Sequence, residues 1–280
     1  MTRFGARLAG EVAAHGPLCA GIDPHAGLLA AWGLADDAAG VERFGRTVVE
    51  ALAGHVACVK PQAAFFERHG SRGVAALERV IADARDAGLL TVVDAKRGDI
   101  GSTMGGYADA FVGDSPLAGD AVTVSPYLGF GSLRPVLDLA AAHGRGVFVL
   151  ALTSNPEGAS VQHAVGPDGR AVARAVAEAA AAENAGATPF GDVGLVVGAT
   201  VGAAVTDLGL DLEAVNGPLL APGVGAQGAT AADLQQVFGR ARRLVLASSS
   251  REVLAAGPTA TGLRDAAHRT ADAVRAALAL

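Results

Sequence analysis

Aromatic residues are scarce in this chain: nine Phe, two Tyr and one Trp amount to 4% of its 280 residues. A core of any size must therefore be filled by Ala, Val and Leu. Charged residues are also few, at 18%, against 51% hydrophobic, a balance that excludes a disordered chain. The two cysteines, Cys19 and Cys58, sit inside apolar runs and do not make a disulfide scaffold. They read as small buried hydrophobes in a reducing compartment. Long hydrophobic runs are missing as well, and nothing approaches the roughly 18 uninterrupted apolar residues of a membrane span. The opening stretch, MTRFGARLAGEVAAHG, alternates charge with apolar residues and lacks the apolar centre of a signal peptide. The cytoplasm is the expected location, with no membrane partner. Positive charge is in short supply too: 22 Lys and Arg against 28 Asp and Glu give a net charge of −6. That argues against nucleic acid as a partner, yet an anionic small molecule fits if local cations cradle it. None of the seven histidines falls into a metal-ligand spacing, so no metal is expected; His25, near Asp23, reads as a loop histidine.

What is present is a repeating pattern. Short β-branched or apolar runs bounded by Gly, Asp or Pro predict strands at Leu18–Ile22, Val56–Val59, Leu89–Val93, Ala121–Val124, Gly146–Leu152, Val193–Val197, Pro218–Ala221 and Arg243–Ala247. Ala-rich amphipathic segments lie between them, among them Gly40–Gly54, Gly73–Gly88 and Gly131–Gly144, each closed by a glycine able to take a helix-ending conformation. Strand alternating with helix, eight times over, points to a parallel sheet. With a length near the roughly 250 residues typical of the fold, the expectation is an α/β protein, one (β/α)8 barrel domain over residues 1–280. The polar Asn155–Gly169 stretch reads as a long loop, and Thr200–Gly217 as a short helix in a loose setting.

In such a barrel chemistry sits at the C-terminal ends of the strands. The predicted strands end in Asp23, Lys60, Asp94 with Lys96, and Ser154, then run into Gly223–Gly228 and Ser248–Arg251. Charges directly after apolar runs are costly to desolvate unless paired, so several at one end suggest an assembled site. In VVDAKRGDIGST, Asp94 and Lys96 would point to one side of an extended strand and pair. Lys60 would add a second cation, and Gly98 gives room to turn before Asp99. Taken alone, D-x-K-x-x-D fits a surface ion-pair cluster as well as a site. Ser154 alone fits a turn hydroxyl, and the SSSR run ending at Arg251 fits a cap with a solvated arginine.

The ordered set of motifs is more specific. GIDPH around Asp23, VKPQAAFFE around Lys60, DAKRGDIGST, SPYLG, LTSNPEG around Ser154 and PGVGAQG around Gln227 run from about Leu18 to Arg251. Together they resemble the longer bacterial branch of the orotidine 5′-phosphate decarboxylase family. The resemblance implies conversion of orotidine 5′-phosphate to uridine 5′-phosphate and carbon dioxide, in pyrimidine nucleotide biosynthesis, without a cofactor. By it, Lys96 donates a proton to C6, held by Asp94 and Asp99, with Lys60 completing the charge network. Asp23 and Lys60 match positions that bind the ribose hydroxyls, and Thr103 one that reaches the ribose from a partner subunit. Ser154 matches a pyrimidine contact, and Gln227 a bridge between base and phosphate. Gly223, Gly225 and Gly228 would let the backbone approach the phosphate, on which Arg251 closes. The implied assembly is a homodimer that shares Asp99 and Thr103 across its interface. Two other readings stand beside this one. A magnesium-dependent sugar-phosphate enzyme on a related barrel would carry an acidic ligand where Lys60 stands. A silent nucleotide-binding barrel would have lost a member of the tetrad.

Overall fold

The structure, a computed structural model, describes residues 2–224 and 228–279. Eight parallel strands form the inner wall: β1 (Leu18–Ile22), β2 (Cys58–Pro61), β3 (Val92–Arg97), β4 (Ala121–Val124), β5 (Gly146–Leu152), β6 (Val193–Val197), β7 (Leu219–Pro222) and β8 (Val245–Ser249). Their order is β2-β1-β8-β7-β6-β5-β4-β3. Bridges Val59↔Thr91 and Gln62↔Asp94 join the two end strands and close the ring. The wall is a (β/α)8 barrel, as expected, with helices packed outside it.

Four strands coincide with the sequence expectation and four do not. β2, β3, β7 and β8 begin and end later than expected, and each runs past its expected last residue: through Lys60 and Pro61, Asp94 to Arg97, Pro222, and Ser248 and Ser249. Burial gives the reason for β8, where both serines are covered and Ser249 pairs in register with Ala20 of β1. Polar side chains end the apolar pattern before the strand itself stops. The three expected helices are found at Ala38–Leu52, Gly70–Asp86 and, after a 3-10 turn at Phe130–Leu133, Arg134–Ala142. Asn155–Gly169 is less open than a plain loop. It holds a 3-10 turn at Pro156–Gly158, a short helix at Ala159–Gln162, and a strand bridge from Val165 to Ala171. The short helix expected within Thr200–Gly217 is Ala204–Asp207.

The opening segment, read above only as lacking a signal, is a helix, Phe4–His15, that stoppers the N-terminal end of the barrel. Its Phe4 and Leu8 are fully buried against Cys19, Cys58, Val92, Phe148, Val196 and Leu220 from the inner wall. Phe4 meets Phe148 edge to face at 6.0 Å. The helix is tied down where Asp192 accepts from the Gly5 amide at 2.8 Å and Asp120 pairs with Arg7. This plug leaves only the opposite end of the barrel open. Phe4→Ala should lower the unfolding free energy by about 3–5 kcal/mol, the cost of a large aromatic cavity. Urea unfolding measures it; a loss below about 1 kcal/mol would contradict the plug.

Candidate active site

At the C-terminal ends of the strands lies a cavity of about 710 Å3, walled by Asp23, Lys60, Asp94, Lys96, Thr123 and Arg251 among others. That size suits a nucleotide-sized molecule. The centre of the site is one carboxylate. Asp94, buried on β3, accepts from Lys60 Nζ at 2.9 Å on one oxygen and from Lys96 Nζ at 2.5 Å on the other. Thr123 Oγ1 donates to that second oxygen at 2.8 Å.

Lys96 reaches Asp94 by an unexpected route. The two were expected to align along a regular extended strand, but Lys96 has φ +48°, in the left-handed region. Between Val93 and Arg97 the register with β4 slips: those four steps along β3 face only the two from Val122 to Val124. This is a bulge, the device by which a strand re-aims a side chain. Left-handed backbone at a non-glycine residue costs on the order of 1–3 kcal/mol and persists only where its surroundings hold it. Here Thr123 Oγ1 does the holding, accepting from the Lys96 amide at 3.0 Å while bonding Asp94. Gly98 also serves a purpose other than the expected turn: a β-carbon there would lie 2.4 Å from the Ser125 carbonyl oxygen, so the loop passes against β4 only without a side chain.

The charges set one another's protonation. Burial would lower the Lys60 pKa, but the charges of Asp94 and Asp23 outweigh it and raise the pKa above the ordinary lysine value. Burial works against ionised Asp94, yet Lys60 and Lys96 draw its pKa down from 3.8 to about 2. The array is a carboxylate between two ammonium groups at neutral pH. Beside it, Asp23 Oδ1 is buried with no hydrogen-bond partner, an acceptor without a donor at the cavity wall. Gly223, with φ +89°, Gly228 and Arg251 line the side of the cavity near β7 and β8.

Seven of the expected site residues thus meet in one cavity: Asp23, Lys60, Asp94, Lys96, Gly223, Gly228 and Arg251. Three stay outside its described lining. Asp99 accepts from the Ile100 amide at 2.8 Å beyond the bulge, and Thr103 is exposed on the helix Gly101–Val112. Ser154 is exposed at the rim, and Thr153 lines the cavity in its place. Gly225 and Gln227 lie outside the described residues. Thr123 was not anticipated, although a lone hydroxyl in the apolar run Ala121–Val124 could have marked it.

The depressed pKa fixes the sign of a pH effect. Ionised Asp94 stabilises the fold fully above its ordinary 3.8, and that contribution is lost as the pH falls toward about 2. Asp94→Asn should cost about 3–5 kcal/mol at neutral pH by leaving buried Lys60 unpaired. The difference from wild type should shrink as the pH drops through this window. Urea unfolding of both proteins across that range checks it, and a difference independent of pH would contradict the assignment.

The family model described as "Orotidine 5'-phosphate decarboxylase / HUMPS family" matches residues 16–266. A relative from Streptomyces coelicolor named orotidine 5′-phosphate decarboxylase is 61% identical over 279 residues, 99% of either chain. One of the same name from Salinispora arenicola is 63% identical over 279 residues, again 99% of either chain. A solved structure from Streptomyces avermitilis, whose description gives the same activity, superposes with a TM-score of 0.95 at 62% identity, covering 100% of this chain and 97% of that one. With the match spanning most of its length, this chain belongs to the orotidine 5′-phosphate decarboxylase / HUMPS family.

Proposed function

We propose that this barrel decarboxylates orotidine 5′-phosphate to uridine 5′-phosphate and carbon dioxide, a step of pyrimidine nucleotide biosynthesis, without metal or organic cofactor. The observation that carries the reading is Asp94 clasped between Lys60 and Lys96. Loss of the C6 carboxylate leaves a carbanion in the plane of the pyrimidine, where no π-system can spread it. Most decarboxylases recruit a cofactor as an electron sink. The alternative is an array of charges already in place where the new charge develops. Lys96 is the member that opens to the cavity, its side chain 44% accessible against 7% for Lys60. Its ammonium stabilises the electron pair at C6 and then gives up its proton to it. Once the C–C bond to the departing carbon dioxide has broken and left its electron pair on C6, the proton moves from Nζ to that carbon and Lys96 is left as the neutral amine. Asp94 orients Lys96 and faces the substrate carboxylate, while Lys60 and Thr123 keep Asp94 from swinging away.

The remaining roles follow from chemistry at the wall. Asp23 Oδ1, buried without a donor, takes a ribose hydroxyl, with Lys60 beside it. Gly223 and Gly228 let the backbone come close to the phosphate, and Arg251 neutralises it. Ser154 contacts the pyrimidine from the rim. A magnesium-dependent sugar-phosphate reaction is disfavoured because Lys60 stands at the second strand's end, against the carboxylate a divalent ion would need.

The active unit in this proposal is a homodimer. Ile100, directly after Asp99, and Tyr127 and Leu128, after β4, are 62%, 76% and 52% exposed, apolar surface open to a partner. A second copy covering that surface brings its own Asp99 and Thr103 to this cavity. Lys96→Ala and Asp99→Ala should each retain less than about a tenth of wild-type turnover. Unfolded together in equal amounts and refolded, they should recover about a quarter of wild-type sites, because half the dimers are mixed and one site in each carries neither defect. Lys96→Ala mixed with Asp94→Ala should recover nothing. An Asp99 mixture that stays inactive, with mixed dimers demonstrated, would refute the shared site.

A further inference from the structure

The excursion that follows β5 carries a contact that the roles above do not use. Gln162, the last residue of the short helix Ala159–Gln162, turns its amide back onto Thr153. Gln162 Oε1 accepts from the Thr153 amide at 2.8 Å, and Gln162 Nε2 donates to Thr153 Oγ1 at 2.8 Å. Thr153 Oγ1 in turn donates to Asn155 Oδ1 at 2.6 Å, and Asn155 Nδ2 donates to Glu157 Oε2 at 3.1 Å. Two bonds from one planar group to the backbone and side chain of one residue fix that residue in direction as well as in place. The Thr153 hydroxyl, although it lines the cavity, is committed to the excursion on both its donor and acceptor sides.

The surroundings are shaped to this clamp. A β-carbon on Gly158 would lie 2.8 Å from Thr153 Oγ1 and 3.1 Å from Gln162 Nε2, so a side chain there would wedge the pair apart. On the other side, a β-carbon on Gly198 would lie 3.0 Å from the Ser154 amide nitrogen and 3.2 Å from its β-carbon. The chain at 153–154 is held by an amide on one face and backed by bare backbone on the other. Ser154 follows immediately, with no side-chain tether of its own among the described hydrogen bonds.

We infer that Gln162 is a positioning residue for the decarboxylation, which fixes Thr153 so that Ser154 meets the pyrimidine; this rests on the substrate reading above. A polar contact misplaced by about 1 Å can cost on the order of 100-fold in rate. Gln162 touches no substrate, and its effect runs entirely through the residue after the one it holds. The short helix thereby couples the fold of the excursion to recognition of the base.

A double-mutant cycle on kcat/KM for orotidine 5′-phosphate tests this, with Ser154→Ala, Gln162→Leu and the pair. Gln162→Leu removes both bonds at similar volume and should lower kcat/KM by about tenfold or more, as should Ser154→Ala. The pair should fall no more than about twofold below Ser154→Ala, because the second change has nothing left to misplace. Gln162→Glu keeps the acceptor for the Thr153 amide and should recover part of the loss. Thermal unfolding of each variant separates misfolding from mispositioning, and a folded Gln162→Glu preserves the test if Gln162→Leu does not fold. Losses that multiply across the pair, or a Gln162→Leu enzyme as active as wild type, would overturn the proposal. A silent Ser154→Ala would overturn it too, while wild-type turnover of the substrate would leave the decarboxylase reading standing. Absence of wild-type turnover would remove that reading itself.

Discussion

A buried carboxylate with an ammonium on each oxygen is the constraint around which the upper half of this barrel is built. Removing charges from water costs several kcal/mol each, and a buried pair recovers this only with good geometry and its remaining bonding sites filled. Asp94 meets both conditions through Lys60, Lys96 and Thr123. Once it is in place, other features of the wall follow. β2 must carry Lys60 past the end of its apolar run, and β4 must place a hydroxyl among valines. β3 leaves regular geometry at Lys96, which keeps its pairing with Asp94. The left-handed backbone at Lys96 is stable because one hydroxyl, Thr123 Oγ1, grips both its amide and its partner carboxylate.

The two ends of the barrel divide the work. At one, Phe4 and Leu8 enter the ring and complete an apolar layer with Phe148 and the two buried cysteines. At the other, polar groups face a cavity of about 710 Å3. Stability and chemistry are thus drawn from opposite ends of the same strands, the arrangement expected of this architecture. The net charge of −6 does not describe the cavity, whose lining sets Lys60, Lys96 and Arg251 against Asp23, Asp94 and Glu252. Local placement, rather than overall charge, makes the site suitable for an anion.

Period and punctuation made the barrel legible, and polar chemistry at the strand ends made its edges illegible. β1, β4, β5 and β6 are apolar to their last residue or nearly so, and their bounds could be read directly. β2, β3 and β8 carry lysine, aspartate or serine toward their ends, polar residues that mimic a loop when neighbours are unseen. Those residues are the ones the cavity uses, so the error in the fold and the location of the site have one cause. The tetrad residues on β2 and β3 could be found because charge directly after an apolar run is costly. The bulge could not, since a left-handed lysine leaves no mark in composition. Thr123 was passed over because one hydroxyl in four residues is compatible with any buried strand. Thr153 rather than Ser154 is in the cavity lining, and the Gln162 amide that bonds it stands nine positions away, beyond any local pattern.

The central claim is that fixed charges, with no metal or organic cofactor, suffice for this decarboxylation. Turnover of orotidine 5′-phosphate, followed by its absorbance change after exhaustive dialysis against EDTA, tests it most directly. The array clasping Asp94 predicts undiminished activity in the chelator, with uridine 5′-phosphate and carbon dioxide formed in equal amounts. Activity that is lost in EDTA and returns only with magnesium would contradict it.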